Sequence, residues 1–147
     1  MLTINQVTKG DGMRKYVSLL FIASCLVLGG CGQGETPISN DRLIESFEQG
    51  RTGIWVSAEA PVVQLLGDED IGGQRQRFTI RPQDGVVVQV RHSLDDSTRV
   101  PVEPGDVVRV QGYYQWDARG GFISRTFSDP DQPGGGGWIE HDGERYD

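Results

Sequence analysis

Between Gly53 and Phe127 the chain alternates short apolar runs with glycine- and proline-rich turns, and this pattern constrains the fold more than any other feature. Side chains of a strand point alternately to the two faces of a sheet, so a period of two in hydrophobicity predicts half-buried strands. Five runs fit the pattern, at residues 54–66, 76–81, 85–90, 107–114 and 122–127. The first is one long strand or two short ones, because residues 58–61 interrupt it.

Five short strands in so small a segment predict an all-β domain. We expect a five-stranded barrel like that of oligonucleotide- and oligosaccharide-binding (OB) domains, with an SH3-like barrel or an open β-sandwich as alternatives. One short N-terminal helix is expected before the strands, at residues 40–50, with Asn40 as its N-cap and Gly50 just beyond its end.

The C-terminal tail contains four consecutive glycines followed by apolar residues. The glycines, at residues 134–137, predict a flexible link, because glycine does not hold one backbone conformation by itself. Residues 138–147 predict a short hairpin with its turn at Asp142-Gly143, since this dipeptide is typical of tight hairpin turns.

The beginning of the chain has the order of a secretory signal. Arg14 and Lys15 precede an uncharged run, residues 16–28, which is shorter than the roughly 20 residues that a bilayer span requires. The run ends in Leu28-Gly29-Gly30-Cys31, which resembles the lipobox of bacterial lipoproteins. Such a signal is cut before its cysteine, whose sulfur then carries a diacylglycerol.

This signal predicts the domain organisation. Residues 1–30 form a removable signal peptide, beginning at Met1 or Met13. Residues 31–39 form an acylated Cys31 with a flexible tether, and residues 40–147 form the β domain with a glycine-rich tail. Several acyl chains anchor a protein stably, since each buried CH₂ contributes about 0.8 kcal/mol. We therefore expect attachment to a membrane of the bacterial cell envelope, on the periplasmic side.

Loss of the leader makes the chain more acidic. The full sequence has 14 basic and 21 acidic residues and a net charge of −7; the leader removes three of the former and one of the latter, so residues 31–147 carry about −9. Lys9 and Lys15 leave with the leader, so that every cationic side chain left, histidine aside, is an arginine. A broad nucleic-acid-binding surface is not expected of such a chain. Cys25 leaves as well and Cys31 is acylated, so no intrachain disulfide is expected.

Three arginines in one predicted strand are candidates for an anion-binding face. Arg75, Arg77 and Arg81 are separated by even numbers of residues, so their side chains point to the same face of the sheet. A guanidinium group binds carboxylate or phosphate through paired hydrogen bonds. Tyr114 and Trp116 offer rings for stacking. The alternatives are that neighbouring acids neutralise the arginines and that the rings belong to the core.

His92 is the histidine in the body of the predicted domain and the candidate for acid–base chemistry. A carboxylate beside it, such as Asp95, raises the pKa of an imidazole and fixes its tautomer. With Asp129, these residues are candidates for a metal-assisted hydrolase or nuclease-like site. The alternative is a loop histidine bonded to backbone. The sequence contains no nucleophile triad, phosphate loop or zinc motif, and we expect no cofactor and no resident metal.

Short pieces between Val62 and Tyr146 resemble a known family in their order and spacing: Leu65–Asp70, Gln76–Phe78, His92, Asp95, Arg99–Pro101, Gly105–Val108, Gly112–Gln115 with Trp116, Gly120–Ile123, Thr126, Asp129-Pro130 and Gly137–Ile139. The family is DUF3465, small secreted bacterial proteins without an established activity. The resemblance implies an OB-like strand pattern. It also implies histidines at five positions, of which this chain keeps His92 and has replaced the others by Arg75, Ser124, Phe127 and Gly134.

Three functional hypotheses follow. The first is a lipid-anchored binding module whose barrel holds a small anionic ligand or an envelope partner through Arg75, Arg77, Arg81, Tyr114 and Trp116. The second is a metal-assisted enzyme that uses His92, Asp95 and Asp129. The third is a structural protein of the envelope. The membrane anchor at Cys31 is common to all three.

Overall fold

A computed structural model describes residues 38–147 of the chain. The predicted signal peptide, Cys31 and most of the predicted tether lie outside the described residues. The elements of the described part are helix α1 (Asp41–Glu48), strands β1 (Ile54–Glu69), β2 (Arg75–Gln83), β3 (Val86–Ser93), β4 (Val107–Gln115) and β5 (Phe122–Ser124), a 3₁₀ turn (Pro133–Gly135), and strands β6 (Trp138–His141) and β7 (Glu144–Tyr146). No helix within residues 38–147 has the length and apolar character needed to cross a bilayer.

Five of these strands close into a ring. Strand β1 is antiparallel to β4 through residues 54–61 and antiparallel to β2 through residues 62–69. Strand β2 pairs with β3, β3 runs parallel to β5, and β5 pairs with β4. The order β1-β2-β3-β5-β4 thus returns to β1. The prediction of an all-β, five-stranded OB-like domain with one short N-terminal helix is confirmed.

The first strand is a single continuous element of 16 residues. It changes partner from β4 to β2 between Pro61 and Val62, and the register with β2 shifts between Val62 and Gln64. Such a shift marks an extra residue, which bends a strand and increases its twist. This bend allows one strand to belong to both sides of the ring.

The interior of the ring is built by strict alternation along the strands. Every second residue of β3 from Val86 onward is buried, and the same is true of β4 from Val108 to Tyr114. Helix α1 adds to this core, because Leu43 is fully buried in it and Phe47 packs against it. The helix lies within its predicted bounds, and Gly50 follows it in the left-handed conformation (φ +64°).

Two details of the C-terminal half differ from the predictions. Strand β5 ends at Ser124 instead of continuing to Phe127, because Arg125 adopts a left-handed backbone conformation (φ +53°) that interrupts the strand. The prediction of a flexible glycine link at residues 134–137 was wrong for its second half. Gly136 and Gly137 are buried, and a Cβ on Gly137 would lie only 2.1 Å from the carbonyl oxygen of Arg125.

The predicted C-terminal hairpin is confirmed. Strands β6 and β7 are antiparallel around Asp142 and Gly143, which both have positive φ, as this kind of tight turn requires. Strand β6 pairs with residues 108–111 of β4, while β5 pairs with residues 113–115 of the same strand. The hairpin therefore extends the sheet beyond the end of β5.

Candidate functional site

The outward-facing side chains of β2 and β3 form a surface rich in arginine. Arg77 of β2 stands directly opposite Arg91 of β3 in the strand register. Arg119 lies in the turn before β5 and Arg125 directly follows β5. We call Arg75, Arg77, Arg91, Arg119 and Arg125 the arginine face. It contains five of the 11 arginines that follow Cys31, so a chain that is acidic as a whole has a cationic surface here.

Two clefts open on the arginine face, and Arg91 lines both of them. The larger cleft has a volume of about 260 Å³, and its charged lining residues are Arg75, Arg91, Arg125, Asp95 and Asp96. The smaller cleft has a volume of about 160 Å³ and contains Arg91, Arg119 and Asp117. Arg91 therefore contributes to both clefts.

Aromatic rings position two of the arginines that line the larger cleft. The guanidinium carbon of Arg91 lies 3.8 Å from the ring centre of Phe122, and that of Arg125 lies 5.0 Å from the ring centre of Tyr113. Tyr113 is itself packed edge-on against Trp55, with ring centres 5.8 Å apart. Stacking restrains a guanidinium group without consuming its N–H donors, so both arginines remain able to bind an anion.

Several arginines of this face have no carboxylate partner. Within residues 38–147, no carboxylate lies within 4.0 Å of the guanidinium groups of Arg77, Arg91, Arg119 or Arg125. Arg77 donates from Nε to the carbonyl oxygen of Gly67 at 2.7 Å, and Arg91 donates from Nε to Oε1 of Gln89. These bonds orient the groups without forming an ion pair. Beyond the hydrogen bond from Arg99, Arg77 helps at longer range to lower the pKa of Asp68. Beyond two backbone N–H groups, Arg119 and Arg91 help to lower the pKa of Asp117.

The three arginines predicted for binding differ in their surroundings. Arg75 donates to the carbonyl oxygens of Ile71 (2.9 Å) and Gly72 (2.8 Å) and lies 3.9 Å from Glu69, so two of its five N–H donors are engaged and its charge has a nearby carboxylate. Arg77 lies on the arginine face. Arg81 is exposed near the other end of β2 and lines neither cleft.

The aromatic residues proposed for binding lie elsewhere. Tyr114 is fully buried and donates its hydroxyl to the carbonyl oxygen of Gly120 at 3.0 Å; burial raises its pKa to about 12. The proposed binding role of Tyr114 is therefore wrong, since a ligand on the surface does not reach this ring. Trp116 is 44% exposed and lies against Gly50, outside both clefts.

His92 is a core residue. It is fully buried, with Nδ1 2.7 Å from the hydroxyl of Thr126 and Nε2 2.9 Å from the carbonyl oxygen of Thr98. A carbonyl only accepts, so Nε2 carries the proton and Nδ1 accepts from Thr126. Burial lowers the pKa of His92, against the opposing effect of these hydrogen bonds, and the ring is therefore neutral at pH 7. The prediction that Asp95 lies beside His92 and raises its pKa was wrong, because the ring is hydrogen-bonded to Thr126 and Thr98 instead.

The proposed catalytic group does not assemble. In the described part of the chain, no hydrogen bond or ion pair joins His92, Asp95 and Asp129. Asp95 accepts the backbone N–H of Gln74 at 3.0 Å, and Asp129 accepts that of Asp131 at 3.1 Å. No group of three or more His, Cys, Asp or Glu side chains among the described residues is placed to hold a metal ion.

Comparison with known protein families assigns the chain to one of them. It matches the family described as a protein of unknown function, DUF3465, over residues 27–147. The chain belongs to the DUF3465 family. No curated protein matches it. In this DUF3465 domain, three positions at which the resemblance implied histidines, namely Arg75, Ser124 and Phe127, line the larger cleft.

Sequence reasoning brought Arg91 and Arg99 towards the face predicted for Arg75, Arg77 and Arg81, but it missed Arg125, which lines the larger cleft of this DUF3465 domain. Arg91 follows the same alternation that buries the valines of β3, and its place on the outer face was available from that pattern. Arg125 reaches the cleft through a left-handed backbone after β5, and no local pattern predicts this. Arg99, by contrast, forms a two-pronged ion pair with Asp68 and does not add to the arginine face.

Proposed function

We propose that the protein is a lipid-anchored binding module of the bacterial cell envelope, tethered through Cys31 and facing the periplasm. Its arginine face holds a small anionic ligand or an anionic group of an envelope partner. The ring of strands acts as a rigid support for this face, and no catalytic step is assigned to it.

The observation that carries the proposal is the pair Arg91 and Arg125. Both line the larger cleft, both are stacked on an aromatic ring, and neither has a carboxylate within 4.0 Å in the described chain. Acids are abundant in this chain, and Arg109, for example, is paired with both Glu59 and Glu140.

The register adds to this argument. Arg91 stands opposite Arg77, and like charges that face each other across two strands destabilise a sheet. An arrangement that costs stability in the free protein is reasonable where a ligand supplies the missing anion.

The binding half of the proposal is tested with Arg91→Gln and Arg125→Gln in the full-length protein, purified in mild detergent. The probes are ethyl phosphate and propionate, titrated calorimetrically at low ionic strength. We expect at least one probe to bind the wild-type protein, and each substitution to weaken that probe about tenfold, as loss of a charge-assisted hydrogen bond does.

The matched control is Arg42→Gln, because Arg42 is an exposed arginine of α1 that lines neither cleft. Its affinity should equal that of the wild-type protein. If neither anion binds, alone or with an added ammonium group, or if all three variants bind as the wild type does, the arginine face is not an anion-binding site.

The anchoring half is tested separately with Cys31→Ser. The leader, the Leu-Gly-Gly-Cys sequence and the tether-like composition after it support acylation at this residue. We expect the variant to lose incorporation of radiolabelled palmitate and to leave the membrane fraction. Unchanged labelling and fractionation would contradict the anchor.

A further inference from the structure

The larger cleft contains side chains of both charges, held apart from one another. Arg91 and Arg125 contribute cations, and Asp95 and Asp96 contribute anions. No guanidinium nitrogen of these arginines lies within 4.0 Å of either carboxylate within residues 38–147. The cleft of about 260 Å³ thus has two cations and two anions that do not pair with each other, and these groups are available to pair with a ligand.

The anionic side of the cleft is fixed by the protein through one oxygen of each carboxylate. Oδ2 of Asp95 accepts the backbone N–H of Gln74 at 3.0 Å, and Oδ2 of Asp96 accepts the hydroxyl of Ser93 at 2.6 Å. Oδ1 of each has no hydrogen bond in the described chain. Both carboxylates are therefore oriented like the stacked arginines and retain a free acceptor.

The charges of the cleft nearly balance, with three arginines against two aspartates. Arg75, the third arginine of the lining, donates to two carbonyl oxygens and lies 3.9 Å from Glu69, so its charge is already partly compensated. Arg91 and Arg125 then face Asp95 and Asp96 in equal number. A simple anion gains from the arginines and is repelled by the aspartates, whereas a molecule with both charges gains from both sides.

The remaining lining indicates a small, polar ligand. Ser93 and Ser124 contribute hydroxyl groups, Gly72 and Gly73 contribute backbone, and Phe127 contributes the only aromatic ring of this lining. The volume falls just below the roughly 300–1,000 Å³ typical of pockets for drug-sized molecules. This space suits a molecule of about the size of an amino acid or a phospholipid headgroup.

We infer that the ligand of the larger cleft is a small zwitterion. Arg91 and Arg125 bind its oxyanion, a carboxylate or a phosphate, and Asp95 and Asp96 bind its primary ammonium group. This inference rests on the proposed function, because it assigns a ligand class to the same cleft.

Two matched pairs of probes test the inference with the full-length protein in detergent. Phosphoethanolamine is compared with ethyl phosphate, and β-alanine with propionate, so that each pair differs by the ammonium group alone. We expect at least one zwitterion to bind about tenfold more tightly than its partner. The pair that shows the preference distinguishes a phosphate-bearing from a carboxylate-bearing ligand.

The variant Asp95→Asn with Asp96→Asn removes the anionic side while keeping an oxygen acceptor for Gln74 and for Ser93. It should abolish the preference for the zwitterion and leave binding of the simple anion at least as strong. The control is Asp84→Asn, since Asp84 is exposed in the turn between β2 and β3 and lines neither cleft; its preference should equal that of the wild type.

The outcomes separate the two proposals. If ethyl phosphate or propionate binds through Arg91 and Arg125 but the ammonium group adds nothing, the inference is overturned and the anion-binding proposal stands. If the preference persists in the double asparagine variant, the assignment of Asp95 and Asp96 is overturned. If no probe of either pair binds, both proposals fail.

Discussion

The side-chain amide of Gln76 pairs with both backbone groups of Val100, as a neighbouring strand residue would. Its Nε2 donates to the Val100 carbonyl oxygen at 2.7 Å, and its Oε1 accepts the Val100 N–H at 2.9 Å. Gln76 and Val100 are both buried, and Val100 belongs to a segment without regular secondary structure. One glutamine therefore attaches this segment to the ring and satisfies a buried backbone.

Substitution of Gln76 by leucine should destabilise the fold strongly. The change leaves the N–H of Val100 buried without a partner, which costs about 1–3 kcal/mol. It also removes one of the two bonds that the Val100 carbonyl accepts, the other coming from the N–H of Val102 at 2.9 Å. We expect the free energy of unfolding in urea to fall by at least about 2 kcal/mol. The control is Gln83→Leu, an exposed position of β2, which should change it by less than about 0.5 kcal/mol; equal effects of the two substitutions would contradict this account.

Acid should destabilise the protein through His92. Burial lowers the pKa of this histidine in the folded state below its ordinary value of 6.5. Below that value the unfolded chain binds a proton that the folded protein does not, so the stability present at higher pH is lost as the pH falls. We expect the free energy of unfolding to decrease between about pH 7.5 and about pH 5.5.

The variant His92→Gln isolates this contribution. It keeps hydrogen-bonding atoms but does not titrate, so the loss of stability over the same pH interval should be smaller than in the wild type. His141 is present in both proteins, and its contribution cancels in the comparison. An identical pH dependence of the two proteins would show that His92 is not the group responsible.

The strand pattern predicted the fold, and the same pattern also indicates which side chains of the candidate site are buried. His92 has the parity of Val86, Val88 and Val90, and Tyr114 has that of Val108 and Val110; alternation alone places both in the core. Their chemistry suggested catalysis and stacking, and the position within the strand decided otherwise. A functional hypothesis for a residue in a strand is stronger when its parity points outward.

Other features depend on contacts that are distant in sequence. The backbone of Arg125 is in the left-handed conformation, and Gly137 packs against its carbonyl oxygen. The sequence around either residue does not predict this contact. Likewise, Arg99 forms an ion pair with Asp68, 31 residues earlier, and is not part of the arginine face. Composition identified the arginines, but only tertiary structure separates the paired ones from those that are free to bind.

Asn40 makes side-chain contacts with the strands in place of the predicted helix cap. Its side chain makes no capping bond to α1. Instead its Oδ1 accepts the N–H of Glu59 at 2.8 Å, and its Nδ2 donates to the carbonyl oxygens of Glu59 (2.9 Å) and Pro82 (3.3 Å). The amide thus attaches the start of the helix to β1 and to β2.

The substitution Asn40→Asp distinguishes the two roles. Aspartate caps a helix about as well as asparagine, so a capping residue would tolerate it. Because the amide group here donates to two carbonyls, a carboxylate loses both bonds and repels the oxygens. We expect a loss of at least about 1 kcal/mol in the free energy of unfolding, against less than about 0.5 kcal/mol for the control Gln64→Glu at an exposed position of β1.

Gly137 and Gly67 differ in the space available for a side chain. A Cβ on Gly137 would lie 2.1 Å from the carbonyl oxygen of Arg125 and 2.5 Å from that of Gln111, whereas a Cβ on Gly67 would meet nothing within 4 Å. Neither glycine has a positive φ, so alanine at the two positions differs mainly in available space. We expect Gly137→Ala to lower the free energy of unfolding by at least about 2 kcal/mol, and Gly67→Ala to leave it unchanged or slightly raised.

Because Gly137 contacts the carbonyl of Arg125, Gly137→Ala should also weaken binding of ethyl phosphate or propionate in the calorimetric assay. A Gly137→Ala protein with wild-type stability would contradict the close packing of this segment.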